Sequence, residues 1–320
     1  MATPFFSVIV PVFNRASTLE AALRSVLTQT CQDFEIIVVD DGSADNPRAM
    51  VEKIGDPRIR FLRQDNQGGG MARNTGINAA QGRFIAPLDS DDIFLPHHLE
   101  SMKTLLDGSE NLVGYARILC DRGDGNRFLR PPRAIRPLEN MGEYLLCDRG
   151  FVPTITIVVE REMARRVRYH PKLRAAEDLD FALRLALEGC RFEMLEEPGA
   201  VWNDRDDPAR ASARNQAEQL GAWLTQMRLL LTPRALAGGR GWPYAKLLAH
   251  NGHKLEALAL YLRAVRHRCY RPTLTLLIFL QIFLNARSYR ALADIAIGRL
   301  RAGLRRQQAA PSTSNPFKPA

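Results

Sequence analysis

The sequence predicts an open α/β sheet followed by a run of helices. Two short apolar runs, Ser7 to Phe13 and Phe34 to Val39, are rich in β-branched residues, which is typical of buried parallel strands. Between them, apolar side chains recur at helical spacing from residue 19 to residue 27, so the first forty residues predict a β-α-β unit. After about Ala209 the pattern is helical.

The elements of the first third follow in order. Ser17-Thr18-Leu19-Glu20 matches a capping box and predicts the start of the first helix. A short strand is then expected from Arg58 to Leu62, a helix from Gly70 to Ala80, and a strand from Arg83 to Leu88. The alternation of strands and helices indicates an open sheet with parallel strands.

The middle third carries weaker patterns. Turn residues and arginines interrupt any periodicity from Asn111 to Arg136, which predicts irregular structure. Val152 to Glu160 is expected to be β-rich, Leu179 to Leu187 to be a helix, and Phe192 to Leu195 to be a strand. Glu177 and Asp178 therefore lie at the amino end of a predicted helix.

The last third predicts a helical appendage with domain boundaries at residues 1–209, 210–308 and 309–320. The final dozen residues lack apolar periodicity and are expected to be disordered. Thr273 to Ala286 is almost wholly apolar but shorter than the roughly 20 residues that cross a bilayer. Flanking arginines favour either peripheral contact with anionic lipid or a buried helix with a basic face.

The composition narrows the class of protein. With 320 residues, 46% hydrophobic side chains and a net charge of +9, the chain can bury a core and favours an anionic partner. Nucleic acid is not the expected partner, because the arginines collect in helices with no recognisable binding module. Five scattered cysteines without a CxxC pair, and an amino terminus without a basic leader, predict a cytoplasmic protein, with peripheral contact at the inner face of the membrane as an extension.

Acidic clusters follow two of the predicted strands, at Asp40-Asp41 and at Asp89 to Asp92. Ligands bind beyond the carboxyl ends of strands in open sheets, so the order of the sequence alone brings these acids together. Carboxylates so close repel one another unless a cation or a hydrogen-bond donor compensates. A divalent metal would do so, and the oxygen ligands of Asp89 and Asp91 suit Mg²⁺ or Mn²⁺. The alternative is a solvated acidic turn.

The ordered motifs SVIVPVFNR, EIIVVDDGS, GGGMARNTGINAAQG, DSDD and a later ED are family-specific as a set. Over roughly residues 5 to 205 the chain resembles the family 2 glycosyltransferases, which have a GT-A fold. The resemblance implies a nucleotide-binding half, about residues 1–105, and an acceptor half, residues 106–209. It further implies inverting transfer of a sugar from a nucleotide-sugar donor, with UDP the expected nucleotide, to a glycan or lipid-linked glycan acceptor in polysaccharide or glycoconjugate synthesis.

For the donor, the resemblance implies that Pro11 and Phe13 line the nucleoside pocket, that Asp41 hydrogen-bonds the base edge and that Arg73 contacts the nucleotide. Asp40 would brace the loop. The alternatives are a turn-capping role for Asp41 and a surface position for Arg73.

For the chemistry, the resemblance implies that Asp91 is the principal metal ligand and that Asp89 meets the ribose or the metal. Asp178 of the ED motif would be the general base, with Glu177 beside it. Asp92 is a further candidate, with a helix-capping or turn role as its alternative. Acids at a helix amino end are also favoured by the helix dipole alone.

One segment departs from the family pattern, because no histidine follows the predicted helix in Val201 to Pro208. Trp202 is a candidate for contact with the acceptor sugar and Arg205 for contact with the phosphates, and a core tryptophan and a solvated arginine are the alternatives.

A second function is a catalytically silent nucleotide-sugar sensor or scaffold, against which the retention of DSDD and ED argues. A third, nucleotidyl transfer, would call for a basic glycine-rich loop that PVFNRAST lacks.

Overall fold

The computed structural model describes residues 3–123, 125, 127–174, 176–205 and 217–284. Two sheets organise the first two thirds of the chain. The five-stranded sheet has the order β3-β2-β1-β4-β8 and the four-stranded sheet the order β5-β9-β6-β7. The strands are β1 (Phe6–Val12), β2 (Phe34–Asp40), β3 (Ile59–Arg63), β4 (Phe84–Pro87), β5 (Ile93–Phe94), β6 (Leu112–Asp121), β7 (Arg127–Arg130), β8 (Val159–Glu160) and β9 (Arg191–Asn203).

The described helices surround these sheets and form the carboxy-terminal part. They are α1 (Ala16–Leu27), α2 (Pro47–Ile54), α3 (Gly69–Ala79), α4 (His98–Leu106), α5 (Met141–Cys147), α6 (Arg161–Val167), α7 (Glu177–Leu187), α8 (Ala217–Gln226), α9 (Pro233–Gly239), α10 (Ala245–His250), α11 (Lys254–Arg266) and α12 (Pro272–Phe283). A π-helical turn from Arg240 to Tyr244 joins α9 to α10.

The five-stranded sheet confirms the predicted open α/β architecture. Every residue of β1 and β2 is buried, and β1 pairs in parallel with both β2 and β4. Successive side chains of a strand point to opposite faces. Ile9 accordingly packs in the cluster with α3 and α7, whereas Val8 packs in the cluster with α1 and α4. Because three parallel strands end at one edge, the loops that follow them meet there.

The four-stranded sheet corrects the interpretation of the middle third. The segment expected to be irregular contains β6, ten residues long and buried over most of its length, which pairs in parallel with β9. In contrast, Val152 to Glu160 forms a 3-10 turn at Thr154–Thr156 and the two-residue strand β8, so the predicted β-rich stretch is mostly wrong. β6 acquires its partner from residues about eighty positions later, which no local pattern reveals.

The predicted capping box at the start of α1 is also wrong. The residue that caps the helix is Arg15, which makes no side-chain cap bond, and Ser17 lies inside the first turn. The Thr18 hydroxyl donates back to the Arg15 carbonyl at 3.2 Å. The Arg15 side chain instead forms a salt bridge with Asp91 in the acidic loop after β4.

The described carboxy-terminal part is helical, as predicted, but its helices are short and interrupted. The helical pattern expected after about Ala209 is broken between α10 and α11, where Gly252 adopts a left-handed φ of 90°. Within the described residues, no helix combines the length and apolar character that a membrane span requires. The proposed boundary at residue 209 and the predicted tail 309–320 lie outside the described residues.

Candidate active site

The loops after β1 and β2 are tied together at the edge of the sheet. Asn14, with a left-handed φ of 51°, donates its backbone N–H to the Ser43 hydroxyl at 2.9 Å and accepts from the Ala44 N–H at 2.8 Å. Pro11 lies opposite Val39 in the parallel register, and Phe13, directly after the strand, is 43% exposed. The Phe13 ring is therefore accessible at this edge, and the contacts of Pro11 and Phe13 with a nucleoside stay predictions.

Asp41 is buried and organises the glycine-rich loop. Its carboxylate accepts hydrogen bonds from the Gln64 side-chain amide at 2.8 Å, the Gln67 N–H at 2.9 Å and the Gly68 N–H at 2.8 Å. Asp40 accepts from the Ser43 N–H at 2.8 Å. Both acids thus brace loops. A carboxylate has about four acceptor positions, and the three hydrogen bonds to Asp41 leave about one for a nucleotide base. Contact between Asp41 and a base stays a prediction.

Arg73 joins two acidic motifs that lie far apart in sequence. Its guanidinium donates to the Glu177 carboxylate at 2.8 Å, forms a salt bridge with Asp89 and lies 5.3 Å from the centre of the Tyr169 ring. Burial alone would lower the pKa of Arg73, but the two carboxylates outweigh this and raise it. The predicted surface alternative for Arg73 is wrong, since the residue is 7% exposed.

Glycine at the start of α3 permits this approach. A Cβ atom on Gly70 would lie 3.1 Å from the nearer Glu177 carboxylate oxygen, and the Gly70 N–H donates to that oxygen at 3.2 Å. The amino end of a helix favours negative charge because its first N–H groups have no partner within the helix. The glycines of the GGGMARN motif therefore let Glu177 dock on α3.

The three aspartates of the acidic loop after β4 have different partners. Asp89 pairs with Arg73, and Asp91, whose side chain is 14% exposed, pairs with Arg15. Asp92 is 1% exposed and accepts the backbone N–H of Asn203 at 2.8 Å. Asp92 thus ties the loop to the end of β9, which agrees with the structural alternative for this residue.

Two carboxylates with arginine counter-ions suit a divalent cation that shares its coordination with a substrate. Among the residues that the structure describes, no group of three or more His, Cys, Asp or Glu could form a metal cage made by protein alone. Mg²⁺ is commonly bound by one or two carboxylates together with substrate phosphates. Asp89 and Asp91 fit that mode, and Arg73 and Arg15 hold them in place.

The amino end of α7 presents three acids with different roles. Glu177 turns to Arg73, whereas Asp178 is half-buried and accepts from the Leu179 N–H at 2.8 Å. Burial raises the pKa of Asp178. Asp180 is fully buried and accepts from the Trp223 indole at 2.7 Å, so it connects α7 to α8. Among the described residues, Asp178 is therefore the one of these three acids whose side chain forms no hydrogen bond or ion pair with another element.

Trp202 and Arg205 occupy the end of β9 and the residues after it. Trp202 is half-buried, and its ring centre lies 6.1 Å from that of Phe151. Arg205 is exposed and lies beside Gly123. Contact of Trp202 with an acceptor sugar stays a prediction, and Arg205 makes no contact with the acidic loop within the described residues.

Comparison with known proteins gives the family. The sequence profile described as "Glycosyl transferase family 2" matches residues 7–173. The chain belongs to this family. It is therefore a glycosyltransferase, as the ordered motifs predict, and residues 7–173 include every motif except ED.

Relatives extend the comparison beyond the matched segment. This family 2 glycosyltransferase is 26% identical over 266 residues to the amylovoran biosynthesis glycosyltransferase AmsB of Erwinia amylovora, covering 79% of this chain and 87% of that protein. Among solved structures it is similar to S. aureus TarS residues 1–349 in complex with UDP-GlcNAc, with a TM-score of 0.64, 20% identity and 86% of each chain covered. It is also similar to the Pyrobaculum calidifontis mannosyltransferase PcManGT in complex with GDP-Man and Mn²⁺, with a TM-score of 0.55, 15% identity, and coverage of 94% of this chain and 81% of that one. These structures support the GT-A fold.

Three residues of the glycosyltransferase site are not among those predicted from the sequence. Arg15 directly follows the first strand, and its position beside a second acidic loop becomes visible only in the fold. Tyr169 is 1% exposed and stacks on Phe181 with ring centres 4.3 Å apart. Asn74 holds the Tyr169 backbone through two hydrogen bonds of 2.8 and 2.9 Å. The NR of SVIVPVFNR could have drawn attention to Arg15, but Tyr169 lies in no motif.

Proposed function

We propose that this glycosyltransferase transfers a sugar from a nucleoside diphosphate sugar, with UDP as the nucleotide, to an acceptor hydroxyl in polysaccharide or glycoconjugate synthesis, with inversion at the anomeric carbon. The observation that carries the proposal is the contact of Arg73 with both Asp89 and Glu177, next to Asp178. It joins the loop predicted to hold the diphosphate to the helix predicted to hold the base. The bound UDP-GlcNAc of TarS and the biosynthetic role of AmsB support the donor and the process.

The proposed reaction is a single displacement. As the acceptor oxygen attacks the anomeric carbon, Asp178 takes its proton, and the bond to the diphosphate breaks with negative charge passing to the leaving group. A divalent ion held by Asp91 and Asp89 would stabilise that charge. Arg73 keeps Asp89 and Glu177 fixed, so the donor and acceptor sides of the site keep one geometry. The Mn²⁺ in PcManGT supports the use of a metal.

Metal-dependent turnover tests the proposal. Purified protein given UDP-sugars and a membrane extract containing acceptor is expected to release UDP only with Mn²⁺ or Mg²⁺ present, and a chelator should stop the reaction. Asp91→Asn is expected to lower turnover by at least about 100-fold, because the developing charge on the diphosphate loses its counter-ion.

Asp56→Asn is the matched control. Asp56 also pairs with an arginine, Arg58 at 2.8 Å, but it lies between α2 and β3, away from the acidic loops. It should leave turnover unchanged. Binding of UDP-sugars without turnover across a broad acceptor panel would instead favour the silent sensor.

Peripheral contact with the membrane is part of the same proposal. Large apolar side chains are exposed along α11 and α12, with 85% of Leu255, 54% of Leu262 and 64% of Leu276 accessible to solvent. Exposed apolar side chains on helices with basic neighbours favour an anionic lipid surface. Acceptors carried on lipid would then meet the enzyme at that surface.

Vesicle flotation measures this contact. The protein is expected to float with vesicles containing anionic lipid, and the double variant Leu255→Ser, Leu262→Ser should bind at least about tenfold more weakly because each leucine contributes about 1.5–3 kcal/mol when buried. Leu138→Ser, at a leucine exposed outside these helices, is the control. If the unchanged protein, the double variant and the control float equally, α11 does not contact the membrane.

A further inference from the structure

Three cations on the acceptor side lack an ionic partner. The side chains of Arg130, Arg149 and Lys246 form no hydrogen bond or ion pair within the part of the chain that the structure describes. Neighbouring arginines are compensated: Arg127 lies 3.0 Å from Asp121, and Arg271 lies 2.8 Å from Asp148. Among the described residues, the lack of a partner thus distinguishes these three side chains from the arginines beside them.

Arg149 is held at the turn after α5. It has a left-handed φ of 56°, and a Cβ atom on the following Gly150 would lie 2.5 Å from the Tyr144 ring. The Gly150 N–H donates to the Tyr144 carbonyl at 2.8 Å. The left-handed region is unfavourable for a residue other than glycine, so the surrounding contacts determine this conformation.

The carboxy-terminal helices bring Lys246 to the same turn. Cys147, the last residue of α5, packs in one cluster with Ala245 and Ala249 of α10. Lys246 follows Ala245 directly and is an exposed residue of α10. Arg149, two residues after Cys147, is thereby placed near Lys246 on the same side of the protein.

Arg130 is the third cation and lies at the end of β7. It is opposite Ile118 in the register with β6, and its guanidinium lies 4.8 Å from the centre of the Phe151 ring. Phe151 in turn neighbours Trp202. The aromatic pair and Arg130 thus border the half of the site in which the acceptor is expected.

Electrostatics agree with this placement. Burial lowers the pKa of Arg130, Arg149 lowers it further, and the Asp178 carboxylate opposes the shift. Desolvation by the surrounding protein lowers the pKa of Lys246, and Arg149 adds to the effect. Arg149 therefore repels both other cations, and Arg130 lies within electrostatic range of Asp178. Like charges that lie near one another repel, and an anion bound among them would relieve that repulsion.

We propose that Arg130, Arg149 and Lys246 form a subsite for a phosphate or diphosphate group carried by the acceptor, beside Asp178. This inference rests on the proposed function, because it assumes that Asp178 faces the acceptor. Guanidinium groups bind phosphate oxygens in a bidentate manner and an ammonium adds a point charge. Lipid-linked diphosphates and phosphodiester polymers share this chemistry.

Binding to UDP-saturated protein at a constant free Mn²⁺ concentration tests the subsite. The probes are inorganic pyrophosphate, farnesyl diphosphate and a short polyol phosphate oligomer joined by phosphodiester bonds, and binding is measured by calorimetry. Arg130→Gln, Arg149→Gln and Lys246→Gln are each expected to raise the Kd of pyrophosphate about tenfold, because each removes one charge-assisted contact. Arg127→Gln, on the same strand but paired with Asp121, should leave the Kd within about twofold of the unchanged protein.

The affinity for UDP distinguishes this proposal from the proposed function. UDP should bind all four variants equally, which also shows that they are folded, and Arg130→Lys should retain most of the pyrophosphate affinity. Unchanged pyrophosphate affinity in the three Gln variants, or a parallel loss of UDP affinity, would overturn the subsite. Failure of the unchanged protein to bind UDP would instead count against the nucleotide-sugar function. Tighter binding of farnesyl diphosphate than of the oligomer supports a lipid-linked acceptor, and the reverse order supports a phosphodiester polymer.

Discussion

Replacing Asp178 with asparagine is expected to lower kcat by about 10²- to 10⁴-fold, the usual contribution of a general base. Asparagine keeps the size of the side chain and can still accept the Leu179 N–H, but it cannot take up a proton. The affinity for UDP should not change, because the residue acts on the acceptor. Single-turnover kinetics with saturating UDP-sugar separates the chemical step from binding.

The pH profile gives a second measure of the same role. Burial raises the pKa of Asp178, and only the deprotonated form can act as a base. Activity is therefore expected to fall as the pH drops through that pKa, at a higher pH than an ordinary aspartate would show. The acidic limb should vanish in Asp178→Asn, and its persistence would assign it to another group.

Asp180→Asn is the matched control on the same helix. Asp180 accepts from the Trp223 indole and pairs with Arg184, and it is fully buried. Its replacement should lower thermal stability while the rate of the chemical step stays close to that of the unchanged enzyme. A loss of rate at Asp180 equal to that at Asp178 would contradict the separation of roles along α7.

Replacing Arg73 with methionine is expected to lower the free energy of unfolding by about 3–5 kcal/mol, the usual cost of removing one partner from a buried ion pair. Methionine fills much of the space but leaves the Glu177 carboxylate facing Tyr169 without its cation. Burial already raises the pKa of Glu177, and Arg73 opposes that shift. Urea unfolding monitored by circular dichroism measures the loss.

Two further variants interpret that result. The double variant Arg73→Met, Glu177→Gln should recover part of the lost stability, since position 177 then carries no charge and only the partly exposed Asp89 has lost its cation. Arg24→Met removes an arginine from an exposed pair with Glu20 on α1 and should have little effect. A loss below about 1 kcal/mol for Arg73→Met would mean that solvent reaches the pair and screens it.

Much of the first third was predictable from local pattern. β1, β2 and β4 are apolar runs with β-branched residues, and the structure confirms them within a residue or two. Local pattern failed where structure depends on distant partners. β6 contains Arg117 and Cys120 among its ten residues and becomes a strand because β9 supplies hydrogen bonds along its length. The capping box failed because Arg15 turns toward Asp91 and the chain enters α1 one residue before Ser17.

The residues of the candidate site could be predicted from the sequence, but their contacts with one another could not. The motifs named Asp41, Arg73 and Asp178, yet they did not show that Asp41 braces the loop before α3. Nor did they separate Asp92, which binds the end of β9, from its neighbour Asp91. These distinctions depend on which backbone N–H groups come within about 3 Å of each carboxylate.

The sequence by itself determined the class of fold, the family and the order of the acidic motifs, because strands, turns and motif residues are encoded by neighbours in the chain. Only the tertiary structure decided which charges meet. Gly70 and Glu177 are 107 residues apart, and Arg73 and Glu177 are 104 apart, so their contacts exist only after the sheet and α7 have packed. The same holds for Arg130, Arg149 and Lys246, whose shared position depends on three separate elements. Charge–charge energies depend on distance and burial, and neither can be read from a linear sequence.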